Sequence, residues 1–417
     1  MPVLSNGVNL MWKWPNYANP LTKLMGPPTL ANGAFYADGT SLADGYQPYV
    51  CKAVTTAFNR LMVGNVMEDG GAYPGRVRWS DIFKPENWAK DLRGRSGGKD
   101  LMPPFSALDA VDKVQAFGSA GGNTLIYAER NVWVAENVEH PEIYRFSILM
   151  AGKGLIASRA QVKANDVNLF MGQDDFYPVS QDGEGIGFPI RNSVFANLNK
   201  STIKTAFAFY KPSTKEVFFC YPTGTKTAPD TALVYQRETK AWSFCDCNYL
   251  CHSFAFDESG YTWDTLPYGS WDAISDSMWD DMGKTGVIPY EVVGNASGQI
   301  LKFDSGNNDN GMAITGYIET GDLTMGDPLT NKFLNSVWPS AKPQGSNNAL
   351  MVQVGSRQNL SQDIVWSNPQ AFDIGISEKV SFRKQGKYIR IRFYTDQLDT
   401  PWILDGYGYD ATKGGTR

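Results

Sequence analysis

The chain has 417 residues, a formal net charge of −5 at pH 7, and 42% hydrophobic against 19% charged residues. This length and composition are those of a folded protein with one large domain or two. The negative charge disfavours a protein that grips nucleic acid by neutralising phosphates. The N-terminal sequence has no basic segment followed by an apolar one, and no apolar run approaches the roughly 20 residues that cross a bilayer. We therefore expect neither a secretion signal nor a membrane span.

Glycine and aromatic residues are abundant, with 41 Gly, 12 Trp and 20 Tyr. Glycine supplies positive φ angles in tight turns, and aromatic side chains suit half-buried strands. The composition therefore predicts many short strands joined by many turns. The best helical pattern is short, ALDAVDKVQAF at 107–117.

Strand patterns interrupted by polar turns recur through the first 311 residues and predict β-hairpins. In chain order these segments are 54–66, 123–136, 165–180, 205–222 and 231–247. Loose repetition of such units at intervals of roughly 30–50 residues predicts an all-β fold with a β-propeller of five to seven blades, six favoured. An irregular β-sandwich is the alternative.

Strand length and charge change together near residue 311. Residues 312–417 contain longer alternating strands and carry 11 Lys and Arg against 10 Asp and Glu, a net charge of +1. Residues 1–311 carry 27 against 33, a net charge of −6. We therefore predict a propeller over 51–311, closed in part by a divergent segment 1–50, and a sandwich-like C-terminal β domain over 312–417.

A Trp- and Asp-rich insertion is predicted at 255–285. Its Trp residues recur every eight positions, each followed by Asp, at Trp263–Asp264, Trp271–Asp272 and Trp279–Asp280–Asp281. Trp platforms beside paired carboxylates are what a glycan-binding or glycan-cleaving protein needs. The interpretation that we favour is a solvated acidic loop anchored by Trp packing.

Three thiols and an imidazole lie close together in the sequence, at Cys245, Cys247, Cys251 and His252. They are potential zinc ligands, but the spacing C-x-C-x3-C-H differs from the C-x2-C of zinc knuckles, and Cys is a common small buried residue. The odd number of Cys residues, five, together with the missing secretion signal, predicts reduced thiols in a cytoplasm.

Catalytic signatures are weak. Neither His140 nor His252 is accompanied by a G-x-S-x-G elbow, and GSAGG at 118–122 lacks the Lys-Ser/Thr of a phosphate-binding loop. We predict no catalytic residue, no cofactor-binding residue, no metal and no cofactor, and therefore a chain that is not an enzyme. A zinc-dependent or glycosidic enzyme stays open as an alternative.

The basic segment RKQGKYIRIRF at 383–393 alternates charged and apolar residues. Period-two alternation places Arg390 and Arg392 on one face of a strand and Ile389, Ile391 and Phe393 on the other. DNA could meet the arginine face, but a solvated sheet face or a contact with protein is the favoured interpretation.

Several strings resemble phage tail structural proteins: AFNRLMVGNV at 57–66 followed by RVRWSDIFKPENW at 76–88, TLIYAERNVWV at 124–134, EVFFCYP at 216–222 followed by TALVYQRETKAWSF, and the Trp-Asp insertion. The ending, IETGDLTMGDPLTNKFLNSVWP, then VQVGSRQ, then GKYIRIRFYTDQLDTPWILDGYGYD, is similar to the C-terminal β domain of the packaged-DNA stabilisation, or tail-nozzle, family of podoviruses. The resemblance extends over about residues 50–415.

This resemblance implies a structural virion protein with a β-propeller, present as a homo-hexameric ring at the distal end of a short bacteriophage tail. The ring closes the DNA channel after packaging and opens for genome ejection. The implied partners are the head-to-tail adaptor, tail fibre or spike proteins, and genomic DNA that passes through the lumen without specific binding. We expect the protein in the virion tail after assembly in the host cytoplasm. A receptor- or glycan-binding tail protein is the alternative.

Overall fold

The structure is a computed structural model that describes residues 3–5, 11–13, 22–23, 50–68, 71–85, 88, 96–101, 111–138, 142–180, 183–255 and 290–414. The described chain is nearly all β, which confirms the all-β part of the predicted fold class. Within these ranges no helix has the length and apolar character needed to cross a membrane. The chain divides into two compact units, Met1–Ile300 and Leu301–Arg417. The predicted domains 1–50, 51–311 and 312–417 stay predictions.

The N-terminal unit is built of small antiparallel meanders in which each strand pairs with the next along the chain. A short sheet near the N-terminus contains β1 (Val3–Leu4), β2 (Trp12–Lys13) and β3 (Thr22–Lys23). Sheet A contains β4 (Val50–Ala57), β5 (Arg60–Glu68), β6 (Gly71–Trp79) and β7 (Gly97–Asp100). Sheet B contains β8 (Val114–Ala120), β9 (Asn123–Ala128), β10 (Val132–Asn137) and β11 (Tyr144–Met150).

Three further meanders follow. Sheet C contains β12 (Gln161–Ala164), β13 (Val167–Met171) and β14 (Phe176–Pro178). An α-helix, α1 (Arg191–Asn197), and a 3-10 turn (Ile203–Thr205) lead to the next sheet. Sheet D contains β15 (Phe207–Lys211), β16 (Glu216–Tyr221), β17 (Thr231–Gln236) and β18 (Trp242–Asp246). Sheet E contains β19 (Tyr249–Ala255), β20 (Tyr290–Asn295) and β21 (Ile300–Lys302).

The turn chemistry explains why these strands form hairpins. All five segments predicted as hairpins are antiparallel strand pairs. Between β4 and β5, Phe58 and Asn59 both have positive φ angles, of 49° and 61°, as a two-residue hairpin turn requires. Gly121 and Gly122 take the same role between β8 and β9, with φ angles of 56° and 82°.

The best helical pattern of the sequence, at 107–117, does not form a helix where the structure describes it, because residues from Val114 to Phe117 belong to β8. All four of these side chains are buried, since β8 packs between sheet A and the rest of sheet B. A run that is apolar on both faces of a strand has the same short pattern as a buried helix.

Successive sheets of the N-terminal unit share buried side chains. One cluster combines residues of sheets A and B, including Met62, Trp79 and Ile126, and a second combines sheets B, C and D. Gly64 on β5 permits the first contact at close range. A Cβ atom at this position would lie 2.6 Å from Cγ1 of Val114 and 2.9 Å from Cζ of Phe117.

Sheet B is anchored by a fully buried carboxylate. Asp112 accepts hydrogen bonds from the backbone N–H of Arg130 at 2.9 Å, from Nδ2 of Asn131 at 2.6 Å and from Nε1 of Trp133 at 3.0 Å. These donors belong to the turn between β9 and β10 and to the start of β10. Asp112 therefore fixes this turn to the segment that leads into β8.

The C-terminal unit contains a short hairpin and two sheets. The hairpin consists of β22 (Asn308–Asp309) and β23 (Met312–Ala313), and β24 (Gly316–Glu319) is the first strand of the two sheets. The other strands are β25 (Lys332–Pro343), β26 (Ala349–Arg357), β27 (Val365–Trp366), β28 (Gln370–Asp373), β29 (Val380–Gly386), β30 (Tyr388–Thr395) and β31 (Trp402–Lys413). One sheet has the order β24-β30-β26-β27, with β28 also on β26, and the other has the order β29-β25-β31. Their core includes Leu334, Val337, Val352, Ile391 and Phe393.

We expect Asp112→Ala to lower the free energy of unfolding by about 3 kcal/mol or more, because three donors, two of them buried, would lose their acceptor. The matched control is Asp166→Ala. The Asp166 side chain is 83% exposed and lies 3.3 Å from Arg237, so its loss should cost less than about 1 kcal/mol. Urea denaturation of both variants measures the difference, and equal losses would contradict the role of Asp112.

Candidate functional site

Two of the sequence-predicted features lie outside the described residues. They are the Trp-Asp segment, with Trp263, Asp264, Trp271, Asp272, Trp279, Asp280 and Asp281, and the histidine at position 140. The glycan interpretation of the Trp-Asp segment therefore stays a prediction.

The Cys-His segment runs from β18 into β19 and is not gathered into one site. Cys245 and Cys251 are exposed whereas Cys247 is buried, and none of the five cysteines forms a disulfide. The Cys247 thiol donates to the backbone oxygen of Tyr249 at 3.3 Å. Within the described ranges, no group of three or more His, Cys, Asp or Glu side chains is arranged to hold a metal ion.

His252 on β19 lies against an aromatic side chain. Its ring stacks on Phe209 of β15, with centroids 4.0 Å apart and planes at 10°. Only 6% of its side-chain surface is exposed, and Nε2 lies 3.9 Å from the Glu291 carboxylate. Desolvation by this burial lowers the pKa of His252 to about 4. The imidazole is therefore neutral at pH 7.

The arginine strand is arranged as predicted. On β30, Ile389, Ile391 and Phe393 are fully buried, and the side chains between them, Arg390 and Arg392, lie on the opposite face. Both arginines are ion-paired with carboxylates on and after β24. Arg390 contacts Glu319 at 2.8 Å and Asp322 at 3.0 Å, and Arg392 contacts Glu319 at 2.9 Å.

Asp322 is also paired with Arg357, at the end of β26. Hydrogen bonds from Arg390 and then from Arg357 hold the pKa of Asp322 below its ordinary value, against partial desolvation. The two carboxylates thus neutralise most of the charge of the three guanidinium groups. A phosphate backbone would have to displace them, so this face is poorly suited to gripping DNA.

Aromatic rings cover the outer end of this network. The Arg392 guanidinium lies 3.9 Å from the ring centre of Trp366 and 5.6 Å from that of Tyr317. Trp366 reaches it because its neighbour on β26 is Gly355, where a Cβ atom would lie 2.9 Å from the indole. Tyr317 is 65% exposed. We name Tyr317, Glu319, Trp366, Arg390 and Arg392 the arginine-aromatic face, and its Trp, Tyr and Arg residues are the types enriched in protein contacts.

A second polar cluster was not predicted from the sequence. It contains three lysines, an amide and a carboxylate contributed by sheets A and B and by the turn before β15: Lys52, Lys113, Gln115, Glu129 and Lys204. We name it the lysine cluster. Single lysines on short strands give no sequence signal, because they look like ordinary solvated residues until the strands are placed beside one another.

Comparison with known proteins gives no family. No protein-family model matches this chain, and no curated protein matches it. Among solved structures, the chain is similar to an exo-β-1,3-galactanase from Phanerochaete chrysosporium in complex with galactose, at 10% identity, over 89% of this chain and 97% of that chain, with a TM-score of 0.25. It is also similar to a glycoside hydrolase, at 12% identity, over 88% and 84% of the two chains, with a TM-score of 0.22.

The matched structures are glycoside hydrolases, which runs against the prediction that the chain is not an enzyme, and that prediction is withdrawn. That prediction depended on the absence of histidine and serine motifs from the sequence. Glycoside hydrolysis needs only two carboxylates, and these have no comparable sequence motif. At these TM-scores the likeness carries no argument about a reaction in this chain.

Acidification should destabilise the protein through His252. The folded-state pKa of about 4 lies below the ordinary 6.5, so between these values the unfolded chain binds a proton that the folded chain does not. The free energy of unfolding therefore falls as the pH falls from 6.5 towards 4. At pH 5 the loss is at most about 2 kcal/mol, and attraction between Glu291 and the protonated ring makes it smaller. His252→Phe keeps the ring stack and should show a smaller loss between pH 7 and pH 5 in urea denaturation. An identical pH dependence in the variant would contradict this account.

The stacked guanidinium makes Arg392 sensitive to a charge-conserving change. We expect Arg392→Lys to lower the free energy of unfolding by about 1–2 kcal/mol, because Lys lacks the planar fork that stacks on Trp366 and pairs with Glu319. Arg383→Lys, at an exposed position of β29, is the control and should change stability by less than about 0.5 kcal/mol. Chemical denaturation of both variants tests the expectation, and equal effects would refute it.

Proposed function

We propose that this chain is a structural component of a short bacteriophage tail, the nozzle, in which six copies form a ring. The ring closes the DNA channel after packaging and opens for genome ejection. One observation carries the proposal. The strings that resemble the tail-nozzle family fall, one after another along the chain, on strands and hairpins of the structure. TLIYAERNVWV falls on β9–β10, TALVYQRETKAWSF on β17–β18, and the last string of the ending on β30 and β31.

The sheet arrangement supports a propeller for the N-terminal unit. Six small antiparallel sheets occur among its described residues, counting β1–β3 and sheets A to E. The first strands of neighbouring sheets lie side by side, β4 with β8 and β12 with β15. Met11 is fully buried in a cluster with Cys51 and Leu61 of sheet A, so the N-terminal segment packs on that sheet. We propose a six-bladed propeller in which β1–β3 belongs to the closing blade, followed by a C-terminal sandwich.

The net charge of the chain supports a role in which DNA passes through the ring without being bound. The chain carries a net charge of −5. A lumen lined by acidic subunits repels the phosphate backbone, so DNA slides through without being held. The neutralised arginines of the arginine-aromatic face suit a contact with protein, and we propose this face for contact with a neighbouring copy, with the head-to-tail adaptor or with tail fibre or spike proteins.

A receptor- or glycan-binding tail protein is the second candidate. It is favoured by a groove of about 520 Å³ in the C-terminal unit, whose lining includes Gln358, Gln362, Asp363, Lys384 and Gln385. Amide and charged side chains of this kind offer both donors and acceptors to sugar hydroxyls. Binding of host surface glycans by the isolated chain, with no effect of its removal on genome retention, would favour this candidate over the nozzle.

The nozzle proposal predicts that purified tails contain six copies of this chain and that virions assembled without it leak their DNA. Quantitative mass spectrometry of tails and a nuclease-protection assay on the particles measure both. Tyr317→Ala should lower incorporation into tails several-fold because it removes an exposed contact residue, whereas Ile376→Ala, at a residue 82% exposed, should not. Particles that lack the chain and still protect their genome would refute the proposal.

A further inference from the structure

A cavity of about 380 Å³ lies between the outer strands of sheets A and B. Residues of β7, the last strand of sheet A, and of β11, the last strand of sheet B, line it together with the end of β6. Cavities of this order of volume hold small ligands in other proteins. Its described lining residues differ from those of the arginine-aromatic face, the lysine cluster and the groove in the C-terminal unit.

The inner side of the cavity is aromatic. Trp79 packs edge-on against Tyr144, with ring centres 5.2 Å apart, and its ring centre lies 5.8 Å from that of Phe146. Tyr144 and Phe146 alternate along β11 and therefore share one face of sheet B. Phe146 is only half-buried, whereas the other two rings are buried. A ligand would therefore meet the Phe146 ring and the margin of the indole.

The indole N–H of Trp79 is a buried donor without an acceptor. The Trp79 side chain is 9% exposed, and its Nε1 has no hydrogen-bond partner among the described residues. The neighbouring Tyr144 hydroxyl, by contrast, donates to the backbone oxygen of Ala57 at 2.9 Å. Native structures leave few buried donors unsatisfied, because each one is unfavourable. An oxygen atom that entered the cavity would supply the missing acceptor.

The outer side of the cavity carries one cation and one carboxylate. On β7, Lys99 pairs in register with Val77, and Gly97 pairs with Trp79, so Lys99 lies on the same face of sheet A as the indole. Glu142 precedes β11, and both charged side chains are exposed. Within the described ranges, neither Lys99 nor Glu142 forms an ion pair. Both are therefore available to a ligand.

Arg145 also lines the cavity but adds no second cation to it. It stands between Tyr144 and Phe146 on β11, so its side chain points to the opposite face of the strand. There Glu136 of β10 is its neighbour in register and carries the opposite charge. The polar groups that face the cavity are thus one ammonium, one carboxylate and one indole N–H.

The combination of these groups narrows the chemistry of the ligand. An apolar molecule would leave all three polar groups without partners. A simple anion would be repelled by Glu142, and a simple cation by Lys99. The ligand that satisfies every group is neutral, has an apolar face for the rings, and carries hydroxyl groups, which both donate and accept.

We propose that this cavity binds a neutral sugar ring, as a monosaccharide or disaccharide. The C–H groups on one face of the sugar pack against Phe146 and the margin of Trp79. Its hydroxyl groups donate to Glu142 and accept from Lys99 and from the indole N–H. The site belongs to the N-terminal unit of a single chain, so it does not depend on a nozzle role or on assembly into a ring.

Titration of the full chain with glucose, galactose, mannose, N-acetylglucosamine and lactose tests the proposal. At least one of these sugars should bind saturably with a Kd below about 10 mM and change the tryptophan fluorescence. Trp79→Phe keeps an aromatic ring but removes the N–H donor, and should weaken binding about tenfold. The melting temperature of this variant without sugar shows whether it folds like the original chain.

Two exposed lining residues give variants that keep the core intact. Glu142→Gln and Lys99→Gln should each weaken sugar binding about fivefold or more, with no change in the melting temperature without sugar. Lys226→Gln, at an exposed lysine before β17, is the matched control and should bind like the original chain. Asp363→Asn, in the groove of the C-terminal unit, should also bind like the original chain.

Four results would overturn the proposal. They are no saturable binding by any sugar of the panel, equal binding by the original chain and both charge variants, loss of binding only in Asp363→Asn, and tighter binding of free phenylalanine than of any sugar. The third would place the sugar in the groove of the C-terminal unit, and the fourth would show that Lys99 and Glu142 recognise a zwitterion. None of these results bears on the nozzle role, which is measured by genome retention in particles.

Discussion

Burial of side chains between successive sheets is the constraint on which the N-terminal unit depends. A single meander of three or four short strands, as one unit of a repeated fold, cannot bury its hydrophobic face without a neighbour. Here one buried cluster extends from sheet B through sheet C to sheet D, and another joins sheets A and B. Each sheet is therefore stabilised by its neighbours, and order along the chain becomes order in space. The convergence of first strands, and with it the lysine cluster, follows from this arrangement.

The two cationic groups of the chain illustrate opposite uses of charge. At the arginine-aromatic face, Glu319 and the neighbouring Asp322 each pair with two arginines, so the face offers planar surface and little net charge. In the lysine cluster, the Glu129 carboxylate lies 3.6 Å from Nζ of Lys113 and accepts a hydrogen bond from Gln115, which in turn accepts one from Lys52. Arginine suits the first setting because its fork binds carboxylates in two places and stacks on rings, and lysine suits the second as a compact charge. The net charge of the chain alone reveals neither of these two arrangements.

The sequence predicts local elements of this chain better than their convergence. Turn residues and alternation identified the hairpins and the two faces of β30, because both depend on neighbours within a few positions. The short helical pattern at 107–117 is a strand from Val114 onward, because burial on both faces of β8 removed the alternation that marks a strand. Trp366 and the lysine cluster could not be predicted. The first depends on Gly355 facing an indole on the paired strand, and the second on Lys52 of sheet A meeting Gln115 of sheet B across 63 positions. Such contacts are properties of the assembled fold.

The strand β31 is paired on one side only within the described part of the chain, along twelve residues. An open edge of this length invites another strand to add to it and thus promotes aggregation. Two features act against that. Asp405 is an extra residue between the paired positions Leu404 and Gly406, so the edge bends there, and its carboxylate, 2.8 Å from Lys342, would be desolvated by an incoming strand. The bend and the charge at Asp405 thus act against the addition of a further strand to this edge.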